Sequence, residues 1–315
     1  MNLIMISAMY ENGGNVTHRH LDGHPELFVY PFESQPGTRF VSDELLSMFP
    51  FKYRWPVFPA EGDSASDFEL LFDEEYKTRV RRPDGSKFRD ADFQVDEKDR
   101  KKIFIEYMKD KPRTTGNLVL AWYHSSFAAW RNVKKTGQEK FFVGYSPIIG
   151  VDAERMFRDI PGSIMLHVVR NPFVCFSETC RRPFPLSLKR YIWTWNFVQY
   201  KALVFQKKFP KQFIIMRYED LLMKKEETTR KLADQLGIKW NQSMLYPSWN
   251  AKKLDNVYPW GTIDFPDENE QQKRKSELTK DQIAEIKVIS SIFAEKLGYD
   301  LDVDHAFQVA EAVTR

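Results

Sequence analysis

Two short polar segments carry the residue types that hold phosphate: Met9-Tyr10-Glu11-Asn12-Gly13-Gly14-Asn15 and Arg170-Asn171-Pro172-Phe173-Val174-Cys175-Phe176-Ser177. Paired glycines let a backbone approach phosphate oxygens that a Cβ would keep away. Arg170 offers a planar fork of donors suited to a phosphate dianion. Each segment follows an apolar run, Leu3–Ile6 or Ile164–Val169, and precedes a stretch that can be helical. A strand, a polar turn and a helix start aim backbone N–H groups at an anion. Two such turns in one chain imply a ligand with phosphates at both ends.

The elements that must position these turns alternate. After Leu3–Ile6 come a helix near Val16–Leu21 and a strand Leu27–Tyr30. Helical patches fall near Asp43–Met48 and Asp96–Lys109, in a region of about 40–115 that is otherwise irregular and rich in charge and aromatics. Leu118–Trp122 and Phe141–Val143 are further short apolar runs. Asp152–Asp159 reads as a helix ended by Pro161-Gly162, and the Ile164–Val169 strand follows. Leu186–Phe209 has apolar and aromatic residues at helical spacing. Phe213–Met216 is a strand, followed by Tyr218-Glu219-Asp220 and a helix stopped by Gly237, and Thr279–Leu297 is an amphipathic helix with Gly298 behind it. Strands alternating with helices predict an α/β fold with a central, largely parallel sheet.

Composition narrows the class. A chain of 315 residues, 42% hydrophobic and 29% charged, suits one globular domain. The net charge of +3 implies no general polyanion field; neither a nucleic-acid nor a membrane partner is expected, and oligomeric state is left open. The cluster Arg79, Arg81 and Arg82 reads as solvated loop. Aromatic content of 15% is high enough to line a ligand pocket as well as a core. Cys175 and Cys180 have neither metal-site nor disulfide spacing. The N-terminus enters a strand with no signal-peptide pattern, and no apolar run is long enough for a membrane span, so a cytoplasmic location is expected.

In these residues the chain resembles the superfamily of sulfotransferases that use 3′-phosphoadenosine 5′-phosphosulfate (PAPS). Met5–Leu27, ending in Leu21-Asp22-Gly23-His24-Pro25-Glu26-Leu27, is similar to the family's 5′-phosphosulfate loop and helix. His167–Ser177 is similar to its 3′-phosphate segment, in which an Arg after a strand and a downstream Ser hold the 3′-phosphate. Ile214–Leu222 is like the strand and turn that come next, and Val257-Tyr258-Pro259-Trp260-Gly261-Thr262 sits where the family has a late loop near the 3′-phosphate. The resemblance implies a P-loop-like three-layer fold, PAPS as co-substrate with no metal, and a small-molecule acceptor sulfonated on a hydroxyl or amine. It assigns Glu11, Asn12, Gly13, Gly14, Asn15 and Val16 to the 5′ end of the nucleotide. Arg170, Ser177, Tyr218, Gly261, Thr262 and Arg274 are assigned to the rest. The aromatic region at about 40–115 becomes the insertion that shapes the acceptor pocket of a single domain spanning 1–315.

The chain departs from the family in two places. The first loop normally carries a Lys or Arg and then Ser/Thr residues, where this chain has Glu11, Asn12 and Asn15. A carboxylate there repels a phosphosulfate. Either a cation from elsewhere (Arg19, Arg39 or Lys189) replaces the missing one, or the loop is reshaped, or the chain binds nucleotide without transferring. Ser177 also lies seven positions after Arg170 rather than eight, a turn of about 100° on a helix, which brings Glu178 and Thr179 into consideration. For the general base, the resemblance points to Glu33, after the second strand, where a carboxylate in an aromatic setting can have its pKa raised. His124, in Trp122-Tyr123-His124-Ser125-Ser126, is the alternative.

Other signals carry less. His18, His20 and His24 do not share a helix face as three metal ligands must. The Tyr191–Trp195 stripe reads as core, although Trp193 or Trp195 could border an adenine. Tyr218-Glu219-Asp220 reads as a helix start with acidic residues at the positive end. A phosphotransferase P-loop is absent from the sequence, since Gly-x-x-x-x-Gly-Lys-Ser/Thr does not occur.

Overall fold

Five parallel strands form one sheet: β1 (Asn2–Ala8), β2 (Leu27–Val29), β3 (Phe141–Tyr145), β4 (Ile164–Val169) and β5 (Phe213–Arg217), in the order β2-β3-β1-β4-β5. The computed structural model describes residues 1–254 and 276–301. Met5 pairs in register with Gly144 of β3 and Met165 of β4, so β1 lies at the centre. Its side chains divide between two cores. Leu3 and Met5 join Phe28, Phe142, Met165 and Phe213 on one face, while Ile4, Ile6 and Ala8 join Val143, Leu166, Val168 and Ile214 on the other. Burial on both faces explains why these strands read as continuous apolar runs rather than alternating ones.

Helices cover both faces, which makes the three layers. The first face carries α4 (Glu97–Met108), α5 (Thr115–Ala129), α6 (Ala153–Asp159) and part of α8 (Leu188–Lys208). The second carries α1 (Gly14–Leu21), α9 (Tyr218–Met223) and α10 (Lys225–Leu236). A third core joins α7 (Pro172–Cys180), α8 and α11 (Lys280–Lys296) beyond the ends of β1 and β4. Gly237 and Gly298 follow α10 and α11 at φ 70° and 78°, the left-handed conformation that ends a helix.

The Leu118–Trp122 run lies inside α5, whose start is capped by Thr114 accepting from Asn117 N at 3.2 Å. It is apolar throughout because the helix is buried between α4 and the sheet. Asp43–Met48 is a short 3₁₀ turn at Glu44–Ser47. The irregular region before α4 also contains α2 (Ser64–Leu70) and α3 (Glu74–Arg81), and it is anchored by buried ion pairs rather than by periodic packing. Arg54 donates to Asp152 at 2.7 Å and to Asp43 at 2.7 Å. Asp73 accepts from Arg100 at 2.7 Å, from Trp122 Nε1 at 3.0 Å and from the Tyr30 hydroxyl at 2.7 Å. That network joins α3, α4 and α5 to the chain leaving β2, where Glu33 stands. No helix among the described residues is long and apolar enough to cross a membrane.

Candidate active site

All five strands point their carboxyl ends at one rim, and the two polar turns meet there. Segment 9–13 leaves β1 with Glu11 at φ 63° and Gly13 at φ 84°, then enters α1. A Cβ at Gly13 would lie 2.1 Å from Tyr218 Cδ2, and one at Gly14 would lie 2.4 Å from Tyr145 Cε2. No side chain caps α1, so the N–H groups of its first turn (Gly14, Asn15, Val16) face outward without an intrahelical partner. That is an anion-binding geometry.

Segment 170–171 packs directly on this loop. Arg170 N donates to Asn12 Oδ1 at 3.1 Å, and Arg170 Nη1 donates to the Glu11 carbonyl at 3.1 Å. The guanidinium lies over the Tyr218 ring, 4.8 Å from its centroid. Arg170 is 7% exposed, and its Nε has no hydrogen-bond partner among the described residues. A buried guanidinium with an unused donor, close to an uncapped helix start, fits a phosphorylated ligand. Glu219 fixes the turn by accepting from Asn171 N at 2.9 Å and from the Tyr299 hydroxyl at 2.7 Å. Tyr218-Glu219 therefore combines a ring against the loop with a structural carboxylate.

The other expected nucleotide ligands divide. Asn12 is buried and engages protein atoms, donating to the Tyr10 carbonyl at 2.9 Å and to the Tyr191 hydroxyl at 3.4 Å; it clamps the two turns together. Ser177 donates to Glu277 Oε2 at 2.9 Å and so turns toward the start of the last described segment. Of its neighbours, Glu178 is the one beside Arg170, 3.9 Å from Nη2. Gly261, Thr262 and Arg274 lie outside the described residues.

The cation that stands beside the loop is none of the three expected. Arg19 is buried against Trp249 and the Pro31 carbonyl, and Arg39 and Lys189 are exposed. Arg182, which follows α7, donates its Nε to Glu11 Oε1 at 2.5 Å and lies over the Tyr10 ring at 5.2 Å. Sequence reading missed it, and its only signal was two arginines, Arg181 and Arg182, just past the phosphate segment.

Glu33 sits beyond β2, half-buried, next to this rim. Its N–H donates to Glu75 Oε2 at 2.8 Å, and the Tyr53 hydroxyl donates to Glu33 Oε2 at 3.5 Å. Burial, then the neighbouring Glu75 carboxylate, pushes its pKa up to about 7, opposed by Lys87, Lys52 and Arg182. Tyr53 meets Tyr10 edge to face at 6.2 Å, and the Glu33 charge acts on Tyr10, Tyr53 and Tyr145. Glu33 therefore shares an aromatic-walled space with the 9–15 loop. His124 does not: it packs tilted against Tyr107 of α4, ring centroids 4.7 Å apart. Its pKa is lowered by burial, Lys111, the chain's amino terminus and Lys135. Those neighbours mark the amino ends of the strands, about 20 Å from the rim at the rise of a β-strand.

The remaining candidates have structural partners. His20 and His24 bond the Met244 and Lys239 carbonyls at 2.9 and 2.7 Å. Trp195 is fully buried in the third core and Trp193 is 58% exposed on α8.

Comparisons with known proteins bear on the fold and the family. No curated protein matches the chain in sequence. A sulfotransferase domain from the Synechococcus PCC 7002 olefin synthase superimposes with a TM-score of 0.58 at 14% identity, covering 95% of each chain. A sulfotransferase domain from the curacin biosynthetic pathway gives 0.56 at 14% identity, covering 95% of this chain and 99% of the other. At such identities these two are evidence of fold. The family profile described as "Sulfotransferase family" matches residues 16–242, which begin just after the 9–15 loop and include Glu33, Arg170, Arg182 and Tyr218. With the parallel sheet and the phosphate-suited rim it crosses, that match shows that the chain belongs to the sulfotransferase family.

Proposed function

We propose that the protein transfers a sulfuryl group from PAPS to a hydroxyl or amine of a small-molecule acceptor. The observation that carries this reading is Arg170: a buried guanidinium with a donor in reserve, locked onto a glycine turn whose helix start is uncapped. Arg170 and Tyr218 would hold the 3′-phosphate side, and the first-turn N–H groups of Gly14, Asn15 and Val16 would hold the 5′ end. The donor supplies an activated sulfuryl group; its bond from sulfur to the bridging oxygen breaks, a sulfur–oxygen or sulfur–nitrogen bond forms, and adenosine 3′,5′-bisphosphate leaves. Glu33 accepts the acceptor's proton. Its pKa of about 7 places it near half-ionised at neutral pH, the condition that suits a general base. Tyr10, Tyr53 and Tyr145 wall the space between Glu33 and the loop and favour a flat or cyclic acceptor, with the region at about 40–115 shaping its outer side.

Sulfur-labelled PAPS incubated with panels of phenolic, alcoholic and amine acceptors, in the presence of a chelator, tests the reading. Label should pass to an acceptor without magnesium. Loss of label transfer on chelation, or transfer of phosphate from ATP instead, contradicts it. A binding-only protein was suggested by the lack of a loop cation; Arg182 beside Glu11 weakens that suggestion.

A further inference from the structure

We propose that Arg182 binds the 5′-phosphate end of the donor, in place of the basic residue the loop lacks, and that Glu11 holds Arg182 ready and competes with the ligand for it. The inference rests on the nucleotide reading given under Proposed function and goes further by assigning its 5′ subsite. Three features fix the guanidinium. Its backbone N–H continues the end of α7, donating to the Thr179 carbonyl at 3.1 Å. Its Cζ lies over the Tyr10 ring, and its Nε meets Glu11. The platform beneath is rigid, because the Tyr10 carbonyl accepts from the Tyr191 hydroxyl at 2.7 Å and from Asn12.

Glu11 links both arginines of the rim. Its carbonyl accepts from Arg170, and its carboxylate pairs with Arg182. Arg170 is buried, whereas the Arg182 and Glu11 side chains are 41% and 27% exposed. A pair that open to water contributes little, since solvent screens it. A phosphate dianion, with three acceptor oxygens and more charge, can therefore take Arg182 from Glu11 at little cost. The same guanidinium acts electrostatically on Tyr10, Glu33 and Tyr145, so it is near both the loop and the candidate base, where a cation can stabilise leaving-group charge. Arg181, one residue earlier, pairs instead with Glu277 beside Ser177.

Calorimetric titration of adenosine 3′,5′-bisphosphate and adenosine 3′-phosphate into wild type, Arg182→Ala and Glu11→Gln tests this. Arg182→Ala should weaken the bisphosphate about tenfold or more, as loss of a charge-assisted bond implies, and leave the 3′-phosphate unchanged. Glu11→Gln should tighten the bisphosphate several-fold and again leave the 3′-phosphate unchanged, a gain that an unfolded variant cannot imitate. Equal losses for both ligands in Arg182→Ala, or no gain in Glu11→Gln, overturn the assignment while leaving the nucleotide reading intact. A wild type that binds neither ligand overturns both.

Discussion

Replacing Glu33 with Gln should make the protein more stable and less active, and the gain should appear only as pH rises. The side chain's pKa stands at about 7 against an ordinary value of 4.5, because burial and Glu75 disfavour the charge. Below about pH 4.5 the group is neutral in the folded and unfolded chains alike and costs nothing. Between the two values the unfolded chain ionises first, so a folding penalty accumulates as pH climbs, and it becomes constant above pH 7. The full gap is worth roughly 3 kcal/mol; Glu33 is half-buried and faces Lys87 and Lys52, so screening brings the expected penalty to about 1–2 kcal/mol. Gln carries no such penalty. Urea unfolding at pH 4, 5, 6, 7 and 8 should therefore show the two proteins nearly equal at pH 4 and the variant ahead by about 1–2 kcal/mol at pH 8. Turnover in the acceptor assay should fall by about 10²-fold or more if Glu33 is the base. A stability difference that does not change with pH refutes the electrostatic account of Glu33, and unchanged turnover refutes its role as base.

Two further substitutions probe the scaffold. Gly13→Ala puts a Cβ against the Tyr218 ring at a backbone φ of 84°, so it should cost at least about 1–2 kcal/mol of unfolding free energy and weaken adenosine 3′,5′-bisphosphate through a displaced loop. Asp73→Ala leaves Arg100 buried without its counter-charge and should cost about 3–5 kcal/mol, read as a lowered urea midpoint.

The sequence made the scaffold readable where one physical pattern dominated. The strands are buried on both faces, so Leu3–Ile6 and Ile164–Val169 stand out as unbroken apolar runs, and α8 repeats aromatics at helical spacing. Gly237 and Gly298 mark helix ends for a steric reason visible in one residue. Leu118–Trp122 was ambiguous because a short apolar run looks the same in a buried helix as in a strand. The rim was half legible. Glycines and Arg170 suit phosphate by their residue types alone, whereas Arg182 acquires its meaning from a partner 171 positions away. Tyr191 read as core because its ring is core; only its hydroxyl reaches the Tyr10 carbonyl. His124 sat in a promising polar string, but its helix directs it at Tyr107, toward the far end of the sheet. Residues 40–115 resisted reading because non-periodic ion pairs such as Arg54–Asp152 and Arg100–Asp73 hold them.

The most direct test of the central claim is a calorimetric titration of adenosine 3′,5′-bisphosphate, adenosine 5′-phosphate and ATP into the wild type and Arg170→Ala. The bisphosphate should bind far more tightly than either nucleotide lacking a 3′-phosphate, and Arg170→Ala should remove that preference. Equal binding of ATP and the bisphosphate, or a preference that survives Arg170→Ala, contradicts the assignment of this rim as a PAPS site.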